Sequence, residues 1–82
     1  MITCHEYDYV EIVCLFHYPI RLTMVTGELI EGIALDTAHN ENRTECIKIQ
    51  TADGAQLVVL SEVTKLAITI DNPHFTEVHF QS

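Results

Sequence analysis

Basic residues are scarce in this chain. Four lysines and arginines stand against twelve aspartates and glutamates in 82 residues, for a formal net charge of -8. A free-standing nucleic-acid binder needs cations to displace counterions from phosphates, and four are too few for that work. The same shortage argues against docking on an anionic membrane surface. Glycine is sparse too: Gly27, Gly32 and Gly54 do not have the spacing of a phosphate-cradling loop. Three cysteines, Cys4, Cys14 and Cys46, make an odd set from which no disulfide framework follows. No long apolar run exists. The longest uncharged stretch, Ile12 to Ile20, is too short to span a bilayer and contains His17 and Pro19. The opening residues carry acids where a signal peptide carries bases. A cytoplasmic, membrane-free protein is therefore expected.

What is present is hydrophobic residue content of 48%, spread along the whole chain, which is the composition of a globule. Residues 1–82 read as a single domain. A chain this short buries only about two-thirds of the surface its unfolded form exposes, leaving little room for an enclosed catalytic cleft. The charge is uneven: Met1 to Asp36 holds six acids and one base, and Thr37 to Ser82 six acids and three bases. Such a domain is steered toward basic surfaces, although acidity also serves solubility alone.

Asp8-Tyr9-Val10-Glu11 reads as a capping box, with a helix from about Tyr9 to His17 that Pro19 ends. Val10, Val13, Cys14 and His17 share one stripe, flanked by Ile12 and Phe16, so the helix must lie against something. Beyond Pro19 the period becomes alternating. Strands are expected at Ile20 to Met24, Leu29 to Asp36, Cys46 to Thr51, Gln56 to Leu60, Lys65 to Ile70 and Glu77 to Phe80. Gly27-Glu28 and Asp53-Gly54 supply turns, Gly32 marks a bend or bulge, and Thr37 to Arg43 reads as a polar loop. Short strands at roughly ten-residue spacing indicate a small closed or half-closed barrel capped by the helix. The fold class is mainly β with one N-terminal α-helix.

Each chemical constellation has a plainer explanation. Cys14 and His17, three apart on a helix with Cys4 and His5 upstream, resemble half of a zinc site, but the second short-spaced pair is absent. A buried small hydrophobe explains Cys14 better, and burial makes a thiol inert as a nucleophile. Glu28 and Glu31 lie by a turn, where carboxylates are solvated. No enzyme activity, cofactor or metal is expected. The helix start is different: Glu6, Tyr7, Asp8 and Glu11 set three acids and an aromatic within six residues. Capping accounts for Asp8 and Glu11. It does not account for Tyr7 and Tyr9 beside them, and an aromatic among charges is what an interface hot spot looks like.

Two resemblances follow. Gly27-Glu-Leu-Ile-Glu-Gly32 with Leu35-Asp36 resembles the first Sm motif, in which glycines bracket a sharply bent second strand. RNA-binding Sm proteins carry an Arg-Gly or similar pair after the fourth strand; here Leu60 is followed by Ser61-Glu62. Over nearly its whole length the chain resembles the Rho-binding antiterminator (Rof) family, most specifically in Cys4-x-x-Tyr7-Asp8-x-x-Glu11. The resemblance implies a helix and a small Sm-like bent antiparallel β-barrel or sandwich that binds the transcription terminator Rho. It implies docking on Rho's RNA-binding N-terminal domain, an OB-type fold, so that RNA loading is blocked. Glu6, Tyr7, Asp8 and Glu11 match the family's acidic helix start and are the residues it implies for Rho contact. His5 stands where another acid is expected, and the Asn40 to Thr44 loop aligns poorly. The free protein is expected to be a monomer with no direct nucleic-acid contact. An Sm-like RNA-binding ring is the alternative, and a zinc-stabilised adaptor a third reading.

Overall fold

A computed structural model describes residues 4–73 and 76–80, with side chains from Tyr7 onward. Helix α1 spans Cys4–Leu15 and is followed by strands β1 (Pro19–Met24), β2 (Leu29–His39), β3 (Glu45–Thr51), β4 (Gly54–Val59), β5 (Val63–Ile68) and β6 (Glu77–His79). All neighbouring strands are antiparallel, in the order β4-β3-β2-β1-β5-β6. This is the mainly β arrangement with a leading helix that the sequence implies.

Both helix boundaries differ from expectation. The helix begins at Cys4, so Asp8 and Glu11 lie inside it and form no capping box. Nothing in Cys4 to Tyr7 breaks a helix, and Tyr7, Val10, Val13 and Cys14 make one apolar stripe that carries it a turn further upstream. At the other end the helix stops before the proline. Tyr18 N–H donates to the Val13 carbonyl (3.0 Å) and His17 N–H to that of Cys14 (3.2 Å), with His17 in the left-handed region at φ 52°. That pair of bonds is a Schellman motif, satisfying carbonyls that the helix end would otherwise orphan. His17 occupies the position glycine usually takes. Its ring tethers the helix end to the sheet, Nδ1 donating to the Ala34 carbonyl at 3.0 Å.

The β1–β2 turn closes through Met24 N–H to the Glu28 carbonyl (2.9 Å), with Gly27 at φ +92°. Gly32 packs tightly: a Cβ there would run into the Gln50 carbonyl of β3. The bulge of β2 falls further along, at Leu35, where the register slips between Ala34 and Asp36. Beyond it β2 continues to His39, over residues expected to be loop, because Thr37, Ala38 and His39 pair with Ile47, Cys46 and Glu45. The true loop is tied by the Asn40 side chain, whose Oδ1 accepts from the N–H groups of Asn42 (2.9 Å) and Thr44 (3.0 Å). Thr51 and Gly54 flank the β3–β4 hairpin predicted from Asp53-Gly54, with Gly54 at φ +119°. A short 3₁₀ turn, Leu60–Glu62, leads into β5.

Val10, Val13 and Cys14 of α1 join Ile20, Leu22, Ala34, Ile47, Ile49, Leu60 and Leu66 in one core. Leu60 enters from the 3₁₀ turn, and each of the others lies on the alternating inner face of its strand or the inner stripe of the helix. The sheet's outer face carries exposed ion pairs, among them Arg21–Glu31 (2.7 Å) and Lys65–Glu77 (3.3 Å). Exposed pairs stabilise by about 0–1 kcal/mol each, so the apolar core holds the fold. No helix among the described residues is long and apolar enough to cross a membrane.

Candidate functional site

The outward side of α1 and the bulged part of β2 bound an open groove of about 640 Å³. Tyr7, Glu11 and Leu15 line it from the helix at four-residue spacing, with Asp8 and Ile12, also four apart, in the adjoining row. Asp36 and Thr37 line it from β2, and Cys14 lies at its floor.

Three of the four expected contact residues are thus brought together. Asp8 and Glu11 are exposed, one turn apart on the same face. Tyr7 is half-buried, its ring packed against the core while still reaching the groove. That ring is held by packing, so little side-chain entropy remains to be lost on binding a partner. Glu6 is helical in its backbone, and its side chain lies outside the described residues. Asp36 is the member that sequence reading missed. The residue pattern puts it at the end of a strand, and only the bulge at Leu35, invisible in that pattern, brings it to the groove beside α1.

The groove's electrostatics register on its floor. Burial pushes the Cys14 thiol up from 9.0 to about 11, and the nearby negative charges of Asp36 and then Glu11 push it the same way. The thiol is therefore protonated and unreactive at neutral pH, as expected from its place on the stripe. Cys14 and His17 do not make half of a metal site, because His17 has left the helix and engages Ala34. Among the described residues no three or more His, Cys, Asp and Glu side chains are grouped to hold a metal. Cys4 and His5 lie outside the described side chains. Glu31, half of the Glu28–Glu31 carboxylate pair, is exposed and accepts from Arg21 Nε at 2.7 Å.

Three carboxylates and an aromatic ring thus line one groove of a small β-rich scaffold, an arrangement whose charge suits cationic groups. Over residues 1–80 the chain matches the family described as modulator of Rho-dependent transcription termination (ROF). Its structure is similar to that of YaeO bound to magnesium from Vibrio cholerae O395, with a TM-score of 0.88 and 37% sequence identity, covering 92% of this chain and 97% of that one. No curated protein sequence matches it. The chain belongs to the family of modulators of Rho-dependent transcription termination.

Proposed function

We propose that this protein inhibits Rho-dependent termination by seating its acidic groove on the RNA-binding N-terminal domain of Rho and blocking RNA loading. The observation that carries this reading is the convergence of Asp8, Glu11 and Asp36 on one groove walled by Tyr7. An OB-type RNA site offers a basic groove with stacking aromatics. Carboxylates there replace phosphates, and Tyr7 offers a ring where a base would stack. Exposed ion pairs alone bind weakly, so apolar contact must supply much of the affinity. Leu15, 72% exposed at the groove's end, and Ile12 beside it supply such surface. Glu6, one residue before Tyr7, adds a further acid to the same helix start.

The whole groove lies within one chain, so one copy suffices for contact. Acting on a transcription terminator places the protein in the cytoplasm, and the contact needs no cofactor and no direct hold on nucleic acid. Co-purification with Rho followed by RNA competition tests the reading. Inhibitor and RNA should exclude each other on Rho, and the isolated protein should show almost no affinity for single-stranded RNA. Retention of RNA by this chain alone would instead favour an Sm-like RNA-binding function.

A further inference from the structure

Among the described residues the sheet has two free edges, and they are unlike. Strand β6 spans three residues, Glu77–His79, and Glu77 holds both Lys65 (3.3 Å) and His79 (3.7 Å). A short, charged edge of this kind is how soluble proteins discourage strand addition. Strand β4 has none of these protections. Its six residues, Gly-Ala-Gln-Leu-Val-Val, contain no charge and no proline in a chain of net charge -8. Among the described residues no strand pairs with its far side.

The register tells which groups that edge offers. Thr51 and Gly54 close the hairpin as a hydrogen-bonded pair, and antiparallel pairing alternates from there. Ala55, Leu57 and Val59, opposite Gln50, Lys48 and Cys46, therefore direct their N–H and C=O groups outward. Leu57 is also 46% exposed on the outer face.

We propose that β4 is a self-association edge, on which a second copy of this chain pairs antiparallel about a two-fold axis through Leu57. That axis aligns every outward-facing residue: Leu57 meets Leu57, and Ala55 meets the partner's Val59 in both directions, giving about six backbone bonds. Charge placement agrees. The acids flanking the strand, Asp53 and Glu62, fall opposite Ser61 and Ala52 of the other copy, not opposite each other. A head-to-tail ring through β4 and β5 is closed off, because β5 is paired on both sides, with β1 and with β6. With β5 taken and β6 short and charged, the mate left for β4 in the same chain is another β4.

One strand pair buries less than the roughly 1,200 Å² of a stable interface, so the dimer forms with rising concentration and the dilute protein is monomeric. Its salt dependence is distinctive. Two copies of net charge -8 repel over long range, and screening relieves that repulsion, so salt tightens the dimer.

Sedimentation velocity over a concentration series at low and high salt, with amide exchange under the same conditions, tests this on the full chain. The expected result is a mass rising to twice that of the chain, more readily in salt, with slowed exchange at Ala55, Leu57 and Val59. Leu57→Lys and Leu57→Pro should each abolish the rise while keeping the parent's circular dichroism. By the β3–β4 register, the proline replaces an N–H that serves no bond to another strand among the described residues. A monomer at every concentration overturns the proposal. So does a dimer that both variants leave intact, one that salt dissociates, or one that leaves those three amides unprotected.

Discussion

Asp36 on β2 and Cys14 on α1 are electrostatically coupled across the joint between helix and sheet: the carboxylate's charge adds to burial in holding the thiol protonated to about pH 11. The coupling has a consequence for stability in base. An unfolded chain releases this proton near 9.0, and the folded one only near 11, so between those values the folded state binds the extra proton. Stability is thus fully present below pH 9 and declines as pH rises toward 11, at up to about 1.4 kcal/mol per pH unit. Urea unfolding from pH 8 to 11 should show this decline in the parent and a shallower one in Cys14→Ala. Cys14→Ala itself should cost roughly 1–2 kcal/mol at neutral pH, from the contacts the sulfur loses. Equal slopes in the two proteins would mean that another group governs the alkaline limb.

Charge reversal separates the groove from the scaffold. Asp8 and Glu11 are exposed and make no ion pair among the described residues, so Asp8→Lys and Glu11→Lys should change stability by no more than about 0.5 kcal/mol. Each should weaken Rho binding roughly tenfold or more, and the pair should abolish inhibition of termination in a run-off transcription assay. Asp36→Lys should do the same from the other wall. Inhibition by the parent should fade with added salt, opposite in sign to the self-pairing of β4. A double variant that inhibits as well as the parent would remove the helix from the contact.

Much of this fold could be read from residue patterns, and the failures share a cause. Alternation located all six strands to within a few residues, because each strand faces water on one side and core on the other. Asp53-Gly54 located its hairpin to within one residue: the two-residue loop is Ala52-Asp53, and Gly54 supplies the positive φ (+119°) where β4 begins. The misplaced boundaries were those set by tertiary contact. The helix starts early because Tyr7 finds the core. β2 runs long because β3 pairs with it, overriding the polar look of Thr37 to His39. Three of the four predicted site residues could be placed since they share one helix face, whereas Asp36 reaches the groove only through a bulge that no local pattern announces.

Gly32 offers a test of packing without chemistry. An added Cβ meets the Gln50 carbonyl, a backbone atom that cannot swing aside as a side chain would. Gly32→Ala should therefore destabilise by about 1–3 kcal/mol, visible as a lower urea midpoint. Gly27→Ala makes the contrast. Nothing lies within 4 Å of its added Cβ, so only the left-handed backbone at φ +92° is strained, at about 1 kcal/mol. If the two variants cost the same, the close approach of β2 and β3 is not what selects glycine at position 32.

His17 combines an unfavourable backbone with a favourable ring, and substitutions can weigh one against the other. Its φ of 52° costs a residue with a Cβ about 1 kcal/mol, while the Nδ1–Ala34 bond returns about the same. His17→Gly relieves the first and forfeits the second, so its stability should fall within about 1 kcal/mol of the parent. His17→Ala keeps the strain and loses the bond, for a cost of about 1 kcal/mol. His17→Val adds β-branching in a region such residues avoid and should cost roughly 2 kcal/mol or more. Chemical denaturation of the three should rank glycine above alanine above valine. A glycine variant that falls to the level of valine would mean the ring's hold on β2, and not the Schellman turn, is what ends the helix where it does.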